Sequence, residues 1–400
     1  MSAKPIKAVG FVTEYMNNER IIKLNSDENG VSVSETGVSF LRKAFASAHF
    51  NVLLGSAFSA KTVPTLGERE CWFQAVDNRL IENPGDPNLK TVRALLRAEY
   101  FNKVMNPLRD KEPKKEQIDF LLAVTRIVST RGANTLPRRL NLFTTNYDSF
   151  IELGLEKLGI AFNDGFVGRV APVYDLSCFS RLMCEQSLFM EYASLVTTVN
   201  ILKLHGSLTW SKNCDNVITY SKLEDNLDAC CSAAGIEAFT HVDDVANLIA
   251  KPYDDAGLDS FRQLVTSLSN EELNAIGGFA SAYASRLCIV NPAKKKFEET
   301  VLEQVYYDLL RMYANELDRN NTFLLVFGFS FADEHIQELT RRALRSNPKL
   351  IVLISCHSTE DVEKYDAMFS TANNVYYLVP EEGNEIDLDT LTEVLTCVTK

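Results

Sequence analysis

Short apolar runs rich in β-branched and aromatic residues recur along the chain, at Val52 to Leu54, Leu140 to Phe143, Val199 to Leu204, Leu287 to Val290, Thr322 to Phe327, Leu350 to Ile354 and Val375 to Val379. They lack polar alternation, which marks strands buried on both faces. Helical patterns lie between several of them. The clearest runs from Glu298 to Leu317, where Leu302, Tyr306, Leu309, Leu310, Tyr313 and Leu317 form one apolar stripe with charges opposite. Strands and helices in alternation favour a parallel sheet covered on both sides. The expected class is a doubly wound α/β fold.

Two gaps between strands are too long for simple crossovers. The first contains TVRALLRAEYFNKVMNPL and EQIDFLLAVTRIVS, separated by the charged breaker RDKEPKKE. The second holds EDNLDACCSAAGIEAF, VDDVANLIA and SFRQLVTSLSNEELNAIGGFA. Both read as helical insertions, at about 68–135 and 211–285, on one α/β domain spanning 37–400. Residues 1–36, with the turn-rich NSDENG and SETG, read as a peripheral extension that forms a hairpin or an oligomer contact.

The formal charge of −12 argues against a general nucleic-acid surface, because phosphate binding needs a net basic face. The basic clusters at Arg138 and Arg139, Lys294 to Lys296, and Arg341, Arg342 and Arg345 are read as solvated rims. The nine cysteines contain no pair at zinc-knuckle or thioredoxin spacing, and reduced thiols are expected. With no apolar run long enough for a signal peptide or a bilayer span, a cytoplasmic protein without membrane contact is expected.

Open parallel sheets bind ligands outside the carboxyl ends of their strands, so those ends carry the functional reading. After the first run comes GSAFSAKTVPTLG, whose Gly55, Ser56, Ala57 and Ser59 would let backbone and hydroxyls approach a diphosphate. The loop is neither a Walker loop nor a GxGxxG turn; small residues also make tight strand-to-helix turns. After the second run comes TTNYD. Helix capping explains one or two of Thr144, Thr145, Asn146 and Asp148, but not all four. After the third, KLHGS places His205 at a strand end, where an imidazole can take a proton at cellular pH. GFSFADEH follows the fifth run with Gly328 and Ser330, and SCHSTED follows the sixth, starting at Ser355. His335 is read as a surface or core residue.

These motifs, in this order, resemble the Sir2, or sirtuin, family. GSAFS is similar to its Gly-Ala-Gly-x-Ser loop, TTNYD to its Thr-Gln-Asn-Ile-Asp motif, KLHGS to its His-Gly, and GFS to its Gly-Thr-Ser. The resemblance implies a Rossmann-like doubly wound parallel sheet that carries NAD and cleaves its nicotinamide-ribosyl bond. It implies that Asn146 holds the nicotinamide ribose and a water, that Asp148 contacts the nicotinamide side, and that His205 is the base. Gly55, Ser56, Ala57, Ser59, Gly328 and Ser330 would hold phosphates and the adenosine half, with Thr145 in the cofactor set and Ser355 near the adenosine ribose.

Departures from the family pattern narrow the reaction. Its deacylases carry a zinc module of two Cys-x-x-Cys pairs, whereas residues 211–284 hold only Cys214, Cys230 and Cys231, so no zinc module and no metal are expected. The deacylase Gly-Ile-Pro-Asp-Phe-Arg segment is represented by TVPTLG, which keeps Pro64 alone. Water thus becomes the expected acceptor, and the chain an NAD+ glycohydrolase with NAD as substrate. The combined pattern is similar to bacterial Sir2-like proteins of antiphage defence that deplete NAD+, most closely the subunit paired with a HerA-type ATPase and less closely those paired with short Argonautes. That likeness implies a homo-oligomer under partner control and no direct nucleic-acid contact. The alternatives are a protein-lysine deacylase, a non-catalytic NAD or ADP-ribose sensor, and a nuclease accessory, the last lacking any carboxylate cluster at strand ends.

Overall fold

The computed structural model describes residues 20–27, 30–64, 66–131, 136–188, 193–215, 217–290 and 304–399. In chain order it begins with strands β1 (Ile21–Asp27) and β2 (Gly30–Val33), helix α1 (Glu35–Ser47) and strand β3 (His49–Leu54). Helices α2 (Glu68–Glu82), α3 (Pro87–Tyr100) and α4 (Lys115–Ser129) precede β4 (Arg139–Thr144) and α5 (Phe150–Leu158). Short strands β5 (Phe162–Asn163), β6 (Phe166–Val167), β7 (Val173–Tyr174), β8 (Cys184–Gln186) and β9 (Ala193–Leu195) lead into β10 (Thr198–Lys203). Then come β11 (Trp210–Lys212) and β12 (Ile218–Tyr220), followed by four helices: α6 (Leu223–Ala234), α7 (Val242–Ile249), α8 (Asp255–Ser267) and α9 (Asn270–Arg286). The chain closes with α10 (Gln304–Leu317), β13 (Thr322–Phe327), α11 (Glu334–Ser346), β14 (Leu350–Ser355), α12 (Asp361–Phe369), β15 (Val375–Val379) and α13 (Leu388–Thr399).

The central nine-stranded sheet runs β2-β1-β15-β14-β13-β3-β4-β10-β5. Every neighbouring pair is parallel except the β1–β2 hairpin, which extends the edge beside β15. This is the expected doubly wound α/β fold. The central strands are mostly apolar because two helical layers cover them, and the core forms one cluster on each face of the sheet. From β3 the chain winds outward through β4 and β10; from β13 it winds the other way through β14 and β15. The direction reverses between β3 and β13, which is where an open α/β sheet forms its ligand crevice.

Six of the seven apolar runs are strands of this sheet. Leu287 to Val290 is not. It forms only an isolated bridge between Ile289 and Gly206. Its apolar character comes from burial over the His-Gly turn, where Ser207 N donates to Cys288 O at 3.2 Å and Val290 N to His205 O at 2.9 Å. The helix read from Glu298 is described from Gln304 onward, and its start lies outside the described residues. Residues 1–19 of the amino-terminal extension lie outside them too.

A buried asparagine ladder sets the register of the strands that carry the site. Asn51, Asn141 and Asn200 are opposed on β3, β4 and β10. Asn141 Nδ2 donates to Asn51 Oδ1 and Asn200 Nδ2 to Asn141 Oδ1, both at 2.9 Å. A slip of one residue would turn these amides onto the other face and leave them unpaired inside the core.

Candidate functional site

The polar ends of β3, β4, β10 and β13 converge on one cleft of about 260 Å³ at the switch point. Ser56, Ser59, Thr145, Asn146, Asp148, His205, Gly328 and Ser330 all line it. The cleft therefore brings together the two residues read as catalytic, from strand ends that are direct neighbours in the sheet.

Thr144 closes the puzzle of the polar strand end by acting locally. Its hydroxyl donates to Leu54 O at 3.1 Å and accepts from Asn146 N at 3.0 Å, which ties the turn after β4 to the end of β3. Asn146 is buried, and its Nδ2 donates to Gly55 O at 3.1 Å and to Ser59 Oγ at 3.2 Å. Both amide hydrogens are thus committed, and the carboxamide oxygen is the atom left to meet a ligand. Ser59 Oγ in turn donates to Asp148 Oδ2 at 2.8 Å, and Asp148 Oδ1 accepts from Phe150 N at 3.1 Å at the start of α5. Asp148, one residue before the Ser149 N-cap, therefore meets the first amide of α5, while its other oxygen extends the chain from Asn146 through Ser59.

Behind this chain sits Lys203, which is 2% exposed. Its Nζ donates to the Asp148 carbonyl and pairs with Glu152 at 2.9 Å. Burial pushes the Asp148 and Glu152 carboxyls up from the ordinary carboxylate range, and the Lys203 ammonium opposes that shift at both.

The small residues after β3 and β13 serve each other first. A Cβ on Gly55 would lie 2.2 Å from Gly328 O, and one on Gly328, at φ +63°, would lie 2.3 Å from the Ala57 Cβ. The amides of Gly55 and Ala57 donate to Phe327 O and Gly328 O, and those of Phe58 and Ser59 to Gly55 O and Ser56 O. These four amides are therefore used within the chain, and it is the side chains of Ser56 and Ser59 that line the cleft. Gly328→Ala combines a left-handed backbone with overlap across this seam. It is expected to cost about 1–3 kcal/mol in urea unfolding.

Gly328 and Ser330 also line a second cavity of about 550 Å³, together with Ala57 and Ser355. Ser355 is buried, and its Oγ has no hydrogen-bond partner among the described residues. An orphaned hydroxyl facing a cavity is a group that a bound polar ligand would satisfy. The two cavities meet at the β3–β13 seam, so the crevice is bilobed.

Several cleft residues were not singled out from the sequence. Tyr100, at the end of α3, brings its hydroxyl onto that of Tyr147 in the TTNYD turn. Burial pushes both phenols well above their ordinary range and keeps them neutral. The helix changes to a π-helical turn over Phe101–Met105 directly after Tyr100, a distortion common at functional sites. Arg69 fixes this wall by a bidentate pair with the fully buried Glu99, at 2.9 and 2.7 Å. Glu70, half-buried on α2, adds a carboxylate to the cleft. Asp333, in the GFSFADEH segment, lies 2.9 Å from His205 Nε2. The contact joins residues 128 positions apart, so local patterns held no sign of it.

No family model matches the sequence, and no curated protein matches it. Among solved structures, the chain is similar to the one in "Structure of Sir2Tm bound to a propionylated peptide", at 13% identity and a TM-score of 0.42, covering 89% of this chain and 94% of that one. At that level the likeness assigns neither family nor activity. Among the described residues no group of three or more His, Cys, Asp or Glu side chains could hold a metal ion, and no helix is long and apolar enough to cross a membrane.

Proposed function

We propose that this protein binds NAD+ across the bilobed crevice and hydrolyses the nicotinamide-ribosyl bond, giving ADP-ribose and nicotinamide. The observation that carries the reading is the convergence of Asn146 and His205 on one cleft at the switch point of the sheet. The lobe holding them takes the nicotinamide ribose. The lobe lined by Ala57 and Ser355 takes the adenosine half, and the diphosphate crosses at Gly328 and Ser330.

Cleavage of this bond builds positive charge on the ribose as a neutral nicotinamide leaves, so the main demands are orientation and a base for the attacking water. An uncharged amide with both hydrogens already committed orients without shifting, and Asn146 is held that way. His205 then removes a proton from the water that attacks the anomeric carbon. The carboxylates of Glu70 and Asp148 add negative charge around the forming cation.

The adenosine lobe carries Glu116, Asp361, Glu385 and Asp387 against Lys61 and Lys364. Lys61 is already shared by Asp387, Asp389 and Glu116 at 3.4, 3.4 and 3.8 Å. A 2′-phosphate would add like charge to this lobe, so kcat/KM for NADP+ is expected to fall at least about tenfold below that for NAD+. Parallel progress curves with the two dinucleotides check this.

The motif resemblance extends the proposal to antiphage defence by NAD+ depletion, in a homo-oligomer controlled by a HerA-type ATPase or, less closely, a short Argonaute. The test of the activity is incubation of the purified chain with NAD+, alone and with its genomic neighbour, and chromatography of the products. Nicotinamide and ADP-ribose support hydrolysis. Acyl transfer from an added acyl-lysine peptide to ADP-ribose, or binding without cleavage in both conditions, overturns it.

A further inference from the structure

We infer that Asp333 is the positioning residue that makes His205 a base, a role that rests on the hydrolytic reading above. His205 Nε2 and Asp333 Oδ2 are 2.9 Å apart, with side chains only 12% and 6% exposed. The other carboxylate oxygen, Oδ1, accepts from the amides of His335 and Ile336 at 3.1 and 3.3 Å, so Asp333 is also the cap of α11. Each oxygen has its own task. The amides of α11 fix the carboxylate in position, and their direction turns Oδ2 toward the imidazole. Because an ionised carboxylate only accepts, the shared proton sits on Nε2. Nδ1 is then the basic nitrogen of the neutral ring, and the imidazole takes the proton of the attacking water.

Asp333 stabilises the imidazolium that forms at that step, and the proton leaves with solvent after ADP-ribose is released. No covalent intermediate and no added reactant is required. The pairing also explains why the aspartate belongs to a helix cap instead of a flexible loop. Its geometry is fixed by backbone before any ligand arrives. Glu70, Tyr100, Tyr147 and Asp148 are the other titratable groups lining this cleft, and the Tyr306 hydroxyl lies against Gly206.

The experiment compares the full chain with its Asp333→Asn, Asp333→Ser and Asp333→Glu variants. Asparagine and serine both cap helices well, so α11 is retained while the carboxylate is lost. In Asp333→Asn and Asp333→Ser, kcat for nicotinamide release should fall at least about 100-fold with KM changed less than about threefold, and the acid limb of the pH–rate profile should move to lower pH. Glutamate should restore part of kcat. In parallel, nitrogen NMR of histidine-labelled free protein reads the ring directly, with the His205 signals assigned by their loss in His205→Gln. The wild type should carry its neutral-state proton on Nε2, and Asp333→Asn should lose that preference. Unchanged kcat and an unchanged tautomer in Asp333→Asn would overturn the assignment. A wild type that leaves NAD+ intact yet shows the Nε2 tautomer dependent on Asp333 would instead refute hydrolysis and leave the pair standing.

Discussion

Asn146→Ala is expected to reduce nicotinamide release from NAD+ by about 100- to 1000-fold while the dinucleotide still binds. The alanine removes an oriented amide from the cleft and deletes its bonds to Gly55 O and Ser59 Oγ. Ser59 keeps its bond to Asp148, so the fold should lose only about 1 kcal/mol per deleted hydrogen bond. His205→Ala should show a comparable loss of about 10²- to 10⁴-fold by removing the base. Steady-state turnover, calorimetric titration with NAD+ and thermal unfolding separate the three effects. Parental turnover in either variant would exclude the proposed roles.

Lys203→Met is expected to destabilise the protein by about 3–5 kcal/mol, because the deletion leaves a buried carboxylate without its cation. The ammonium holds both the Asp148 carbonyl and Glu152 Oε1, and it lies one layer behind the cleft. The pH dependence has a definite sign. Burial raises the carboxyls of Asp148 and Glu152 in the folded state, so the stability tied to them is greatest below the ordinary carboxylate range and declines as pH rises through their folded values. Without Lys203 that decline steepens. The stability gap between wild type and variant should therefore narrow as pH is lowered toward the carboxylate range, in urea titrations at a series of pH values. The double variant Lys203→Met with Glu152→Gln should recover part of the loss, because it removes the uncompensated charge. A single variant as stable as the parent across the range would show that the ion pair contributes nothing.

The strand ends were legible because polar residues that terminate an apolar run have few partners in a core, and Asn146, Asp148 and His205 all fall at such ends. The loops they belong to were legible as loops, yet not in their detailed use. Gly55 and Gly328 read as room for a diphosphate, whereas Gly55 first makes room for the Gly328 backbone and Gly328 for Ala57. The run Leu287 to Val290 misled for a related reason, since burial over a turn produces the same apolar pattern as burial in a sheet. What the sequence hid most fully was the partnering across distance. Tyr100 reaches Tyr147 from the end of α3, and Asp333, after β13, reaches His205, after β10, across the ends of β3 and β4, only once the fold is assembled.

Each rung of the asparagine ladder lies a fixed count upstream of a working residue: four positions from Asn51 to Gly55, five from Asn141 to Asn146, and five from Asn200 to His205. The three amides thus act as a ruler whose zero is shared. A single-codon deletion between a rung and its dependent residue would pull that residue back by about 3.3 Å along its strand and turn the side chains beyond the deletion onto the other face. Length variation among descendants of this gene should accordingly concentrate on the far side of the rungs and spare these three short intervals.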